Sequence, residues 1–261
     1  LTPPLYLVPA GVLDGLGTGA VFLLDGVEGR HAATVRRSRP GERIAVADGA
    51  GRVVRGVVDA VARDQVSLRV EAVFQEQPAW PRLVLVQALA KGGRDELAVE
   101  TATELGVDVI VPWQASRCVV IWSGQRGEKS RRRWEDTVRA AAKQSRRTYL
   151  PPIEPAVTTQ ALVSRVASVV SAGGLVLVLH EDAAQSLATV PVPVPVPVAA
   201  EGGDSDLLVV VGPEGGITDA ELVLLTGVGA SVVRLGPQVL RSSSAGAAAL
   251  AVLSTRLGRW G

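Results

Sequence analysis

Residues 209–219 read VVVGPEGGITD, and the fold turns on how this stretch is read. A valine run of the kind that fills a strand buried on both faces of a parallel sheet stops at Gly212-Pro213-Glu214-Gly215-Gly216. Directly after it, Thr218-Asp219-Ala220-Glu221 spells a capping box, and Ile217 and Leu222 are spaced for a hydrophobic staple. A helix therefore starts at Thr218, and residues 212–217 form a true loop at the C-terminal edge of a strand. Open α/β sheets bind ligands at that edge. Gly215 and Gly216 carry no side chain to obstruct a ligand, and Pro213 stiffens the turn. The same glycines also fit a tight strand-to-helix connection that needs positive φ.

A second segment of the same design follows. SVVRLGPQVLRSSSAGAAAL (231–250) again runs strand, Gly-Pro, loop, then a helix of small residues, so two Gly-Pro loops become candidate walls of one pocket. Around them, from Leu83 onward, strand and helix patterns alternate, the mark of an α/β layer with a mostly parallel sheet. The strands read LVLVQAL, VDVIVP, LVLVLH (175–180), LLVVVG (207–212) and SVVRLG. The helices read RDELAVETATEL, the basic segment to about Arg147, ALVSRVASVV, AELVLLTGVG and SSAGAAALAVLSTRLG.

The first 76 residues have another rhythm. AVFLLD, RIAVAD, RVVRGVVDAV and QVSLRVEAVF are short alternating strands with turn punctuation, which predicts a small β-barrel. A short helical piece, GRHAATVRRSRPGER, adjoins RIAVAD, and FQEQPAWPR (74–82) reads as a linker. Two domains are expected, 1–76 and 77–261. Within the second, VPVPVPVPV (190–198) excludes helix and central strand and reads as a polyproline II spacer.

Composition narrows the function classes. No stretch approaches the ~18 apolar residues of a membrane helix, no signal peptide is evident, and the single Cys118 cannot form an internal disulfide, which favours a reducing cytoplasm. His31 and His180 are far apart in sequence, so no metal site is expected. GLGTGA (15–20) is rejected as a dinucleotide fingerprint because a strand, not a helix, follows it, and no phosphate-binding loop, nucleophile elbow or zinc-protease motif is present. Net charge is only +1, yet residues 126–147 carry nine Lys/Arg against three acids. Such a stretch suits a phosphate backbone, although a solvated helix face explains it as well.

Taken in order, LVQALAKGGRDELAVETATELGV, RW (133–134), AAAKQSRR (140–147), HE (180–181), VVVGPEGGIT and LGPQVLRSSSAGAAAL resemble the SPOUT superfamily. The specific likeness is to the bacterial family that methylates N3 of a uridine in 16S ribosomal RNA. GRHAATVRRSRPGERIAVADG resembles that family's PUA-like RNA-binding barrel. The resemblance implies a PUA-like β-barrel followed by an α/β SPOUT domain with a C-terminal trefoil knot, a homodimer, a 16S rRNA or 30S-subunit partner, a cytoplasmic location and S-adenosylmethionine as cofactor. It places the cofactor between Gly212, Pro213, Glu214, Gly215 and Gly216 on one wall and Leu235, Gly236, Leu240, Arg241 and Ser242 on the other, with His180 and Glu181 nearby. Arg241 and Glu214 become the candidate catalytic pair, Arg241 for the developing uridine anion and Glu214 as proton acceptor or loop stabiliser. RNA contacts are expected from Arg36, Arg37, Arg39, Lys91, Arg94, Arg132, Arg133, Lys143, Arg146 and Arg147.

The chain departs from the family pattern in places. Where the family commonly has Arg-Thr-Glu-Thr, this sequence has Arg241-Ser242-Ser243-Ser244, and Gln238 replaces a frequent arginine. Ser243 keeps open a competing reading, a non-catalytic RNA-binding or ribosome-assembly protein of the same fold. A nucleotide-dependent oxidoreductase is a further alternative, weakened by the missing fingerprint. Calorimetric titration with S-adenosylmethionine discriminates the non-catalytic reading, and saturation by NAD(P) instead would revive the oxidoreductase.

Overall fold

The structure, a computed structural model, describes residues 3–192 and 206–260. The chain divides into two compact units, Leu1–Pro78 with Ala142–Leu150, and Ala79–Ala141 with Pro151–Gly261. Residues 142–150 belong with the first unit although they lie far along the chain.

The first unit is built on one five-stranded sheet. Its elements are β1 (Leu5–Leu7), β2 (Val21–Leu24), α1 (Gly26–Arg30), a π-helical turn (His31–Val35), β3 (Arg43–Ala47), β4 (Arg52–Val61) and β5 (Val66–Gln75), with sheet order β1-β3-β4-β5-β2. The four strands expected here are present. β1 escapes period-2 reading because all three of its residues are buried, and it pairs parallel with β3. Inward residues such as Ile44, Val54, Val66 and Leu68 form the core on one face. On the other face, Leu5, Leu7, Ala45 and Ala47 meet Ala142 and Leu150, which explains why residues 142–150 join this unit.

The second unit alternates strand and helix. Its elements are β6 (Arg82–Ala88), α2 (Arg94–Glu104), β7 (Val109–Gln114), α3 (Gly124–Ser145, whose last turn enters the first unit), β8 (Val157–Thr158), α4 (Thr159–Ser171), β9 (Leu175–Leu179), β10 (Gln185–Ser186), β11 (Asp206–Val211), α5 (Asp219–Gly227), β12 (Ser231–Arg234) and α6 (Ser242–Arg256). The strand order is β10-β12-β9-β11-β6-β7-β8, and each neighbouring pair is parallel. β11 is central and buried at all six residues, so its run of valines is the signature of a strand covered on both faces. The register opposite β6 is pinned at its start, where Arg82 grips Asp206 with two bonds of 2.8 and 3.0 Å. α6 buries Ala245, Gly246, Ala249, Leu250 and Leu253. A Cβ on Gly246 would sit 2.9 Å from Leu85, so the small residues of this helix serve close packing on the sheet.

The proline–valine spacer falls, from residue 193 onward, outside the described residues. Val190 at its start is 2 % exposed and donates its N–H to the Ser186 carbonyl. No helix among the described residues is long and apolar enough to cross a membrane.

Candidate active site

The helix start read from Thr218 and Glu221 is present as a reciprocal capping box. Ile217 and Leu222 pack into the same apolar cluster, completing the staple. Glu221 does more than its box requires. Its Oε1 accepts from Ser116 N–H (2.8 Å), Ser116 Oγ (2.9 Å) and Thr159 Oγ1 (2.8 Å), while Oε2 accepts from Thr218 N–H (3.0 Å) and Thr218 Oγ1 (2.8 Å). Burial by itself would raise this carboxyl, but the donors reverse the effect and hold it down at about 2. One carboxylate therefore ties the segment after β7, the first residue of α4 and the start of α5 to a common point.

That point fixes the downstream end of the Gly-Pro loop. Gly212 leaves β11 so close to Ile217 that a Cβ would meet its side chain at 2.6 Å, and Gly216 has φ +76°. Glycine at these two positions thus serves the tight connection itself. Two arginines hold the loop from outside: Arg117 donates to the Gly215 carbonyl at 2.8 Å, and Arg94 pairs with Glu214 at 3.1 Å. Glu214 is consequently engaged by a cation from the start of α2.

The second Gly-Pro loop leaves β12, which lies beside β9. At the end of β9, His180 N–H bonds to Val233 O (3.0 Å), and its Nδ1 accepts from Asp182 N–H (3.2 Å), which leaves the proton on Nε2. The two loops and this strand end surround a cavity of about 700 Å³, within the range of small-molecule sites. His180, Glu181, Gly212, Pro213, Glu214, Gly215, Gly216, Leu235, Gly236, Leu240, Arg241 and Ser242 all line it, joined by Arg94, Arg117, Asp182, Asp219 and Arg234. The lining carries both signs of charge, Arg94, Arg117, Arg234 and Arg241 with Glu181, Asp182, Glu214 and Asp219. The exposed Arg241 side chain makes no ion pair among the described residues. Ser243 is 5 % exposed and does not line the cavity, so this departure from the family pattern lies beneath the site's surface.

The expected RNA-facing residues separate into groups. Arg36, Arg37, Arg39, Lys91, Arg132 and Arg146 are exposed, and Arg147 is partly buried. Arg133 is exposed but paired with Glu96 at 3.0 Å. Lys143 is paired within the first unit: its ammonium lies 2.8 Å from Glu28, with side chains 23 % and 13 % exposed. Arg94 belongs to the cavity. Sequence reading missed Arg117, which sits in a segment without any motif, and no local signal would have found it. Burial raises the Cys118 thiol above its ordinary range, consistent with a packing role for this residue.

Comparison with known proteins adds to this geometry. Residues 76–254 match the RNA methyltransferase domain model and residues 24–71 the RNA methyltransferase PUA domain model. The chain is 48 % identical over 243 residues to ribosomal RNA small subunit methyltransferase E of Mycobacterium bovis, covering 93 % of this chain and 89 % of the relative. It is 30 % identical to the protein of the same name from Bacillus subtilis, covering 89 % of each. Among solved structures, a ribosomal RNA small subunit methyltransferase E from Neisseria gonorrhoeae bound to S-adenosyl methionine superposes with a TM-score of 0.81, at 25 % identity and 100 % coverage of both chains.

Proposed function

Since the chain belongs to the ribosomal RNA small subunit methyltransferase E family, we propose that it transfers the methyl group of S-adenosylmethionine to N3 of a uridine in 16S ribosomal RNA. The observation that carries this reading is the cavity where both Gly-Pro loops and the end of β9 converge at the C-terminal edge of a parallel sheet. Its size suits the cofactor, and Gly212, Gly215 and Gly216 line it without side chains. When bound, S-adenosylmethionine supplies an electrophilic methyl on a sulfonium, whose positive charge attack relieves.

The residues of this chain then act mainly by placement. Gly212–Gly216 and Leu235–Ser242 would hold the cofactor from two sides of the cavity, with His180 and Glu181 lining it as well. Holding nucleophile and methyl as a near-attack pair is worth roughly 7–11 kcal/mol, more than the ~10²- to 10⁴-fold supplied by a general base. Arg241, exposed and without an ion-pair partner among the described residues, stabilises the uridine anion formed as the N3 proton passes to solvent water. Glu214, held by Arg94, keeps the loop in place. Arg36, Arg37, Arg39, Lys91, Arg132 and Arg146 contact RNA phosphates. A homodimer, the trefoil threading of the C-terminal segment and action on the 30S subunit in the cytoplasm are part of the same proposal.

The test is incubation with S-adenosylmethionine and 30S subunits or naked 16S rRNA, followed by mass spectrometry of the nucleosides. One new N3-methyluridine is the expected product. Absence of methylation on both substrates, with the cofactor shown to bind, would leave the non-catalytic RNA-binding reading instead.

A further inference from the structure

Arg37 (φ 58°) and Arg146 (φ 61°) are the non-glycine residues with positive φ among the described residues. Both belong to the first unit, both are exposed, and neither has a side-chain partner among the described residues. Each stands where a helix ends. After α3, Arg147 N–H bonds to Ala142 O at 2.8 Å and Arg146 N–H to Lys143 O at 3.3 Å. That pair of bonds closes a helix through one left-handed residue, a place usually held by glycine. After the π-helical turn, Arg36 N–H bonds to His31 O at 2.9 Å and Ser38 N–H to Ala32 O at 3.0 Å. The first of these is the last bond of the π-helical ladder; the second spans the left-handed Arg37, as the Arg147 bond spans Arg146, one residue wider.

A Cβ is disfavoured in that conformation, and glycine would relieve it. At Arg146, attraction to the helix dipole does not account for the choice, since a cation anywhere in the last turn gains it and Lys143 already stands there in α3. The two helix ends also share one base. Lys143 bonds to both Glu28 oxygens at 2.8 and 2.9 Å, its ammonium lies 6.0 Å from the Tyr6 ring centroid, and Tyr6 packs edge-on to His31 at 6.1 Å. Glu28 and His31 lie on the helical segment that ends at Arg37, and Lys143 lies on the turn that ends at Arg146. Two free guanidinium groups are thus carried on strained, firmly seated turns joined by a half-buried ion pair.

We propose that Arg37 and Arg146 form a two-point clamp for phosphates of an RNA backbone on the first unit. The clamp rests on the reading of an RNA substrate and deepens it by naming which cations hold the strand. A guanidinium suits the task because its planar fork can meet a phosphate with two bonds, and Arg36 and Arg39 beside Arg37 add to the local field. Lys143 serves as the tie between the two turns.

Substitution by glycine separates the roles, because it relieves the backbone while removing the charge. Arg37→Gly, Arg146→Gly and the double variant are compared with the full wild-type chain in thermal unfolding, S-adenosylmethionine affinity, and affinity for a 16S rRNA fragment across a salt series. Expected are melting temperatures no lower than wild type, unchanged cofactor affinity, and RNA affinity reduced roughly tenfold per arginine at 0.1 M salt, with a salt slope shallower by about 0.7–0.9 for each. Unchanged RNA affinity and slope in the double variant would overturn the clamp, as would a lowered melting temperature, which would mean that the arginines serve the fold. Binding of wild type to an acidic peptide in preference to RNA would also overturn it. A wild-type chain that binds cofactor but no RNA would instead remove the reading on which the clamp rests.

Discussion

Replacing Glu221 by glutamine tests the claim that one carboxylate organises the start of α5 and the loop before it. The group titrates at about 2 in the folded chain against an ordinary 4.5. At roughly 1.36 kcal/mol per pH unit, that gap is equivalent to about 3 kcal/mol of folding stability. Glu221 is 2 % exposed, so solvent screening takes little from this figure. Glutamine keeps the shape but turns an –NH2 toward hydrogen-bond donors that had met an oxygen, so at neutral pH the variant should lose about 3 kcal/mol. Because the folded pKa lies below the unfolded one, the contribution is fully present above about pH 4.5 and disappears as the pH falls toward 2. The wild-type advantage should therefore shrink with acidification across that window. Urea unfolding followed by tryptophan fluorescence at pH 7, 5, 4 and 3 measures it, and buried Trp113, whose Nε1 donates to Thr159 Oγ1 at 3.3 Å, reports from beside the network. A difference under about 1 kcal/mol at pH 7, or one that stays constant down to pH 3, would refute the argument. Since the loop is anchored at the same point, S-adenosylmethionine affinity should fall in the same variant.

Three further outcomes follow from the cavity. Arg117→Ala removes the guanidinium bond to the Gly215 carbonyl and should weaken cofactor binding about tenfold, near the low end of the roughly 1.5–3 kcal/mol for a hydrogen bond to a charged group; calorimetry reads this directly, and an unchanged Kd would remove Arg117 from the loop's support. Gly216→Ala forces a Cβ into φ +76° and should cost about 1–2 kcal/mol in urea unfolding, whereas Gly212→Ala should cost more because its Cβ overlaps Ile217 at 2.6 Å; equal stability of both variants and wild type would contradict the packing described. Arg241→Ala should lower turnover while leaving cofactor affinity close to wild type, and full turnover in single-turnover assays would end its assignment to the uridine anion.

The legibility of this chain follows the range of the interactions involved. VVVGPEGGITD announces strand, loop and capped helix because every residue in that inference lies within 13 positions of Val209, and local rules cover such distances. The same rules say nothing of Ser116 and Thr159, which complete the acceptor network of Glu221 from 105 and 62 residues away. Arg94 on Glu214 spans 120 residues and Arg117 on Gly215 spans 98, so Arg94 looked like a surface cation and Arg117 drew no attention. The partner of Lys143 is hidden for the same reason: its sequence neighbours are basic, and the acid that holds it lies 115 residues earlier. The short strands β1, β8 and β10 are hidden for another reason, since two or three residues cannot display a period. The glycines show how the two kinds of information combine. GPEGG suggested backbone left bare for a ligand, while Gly212 against Ile217 and Gly216 at positive φ are also demanded by the turn itself. A loop that must be glycine-rich to fold also brings little side chain to the cavity it lines, so one local requirement serves both the connection and the site.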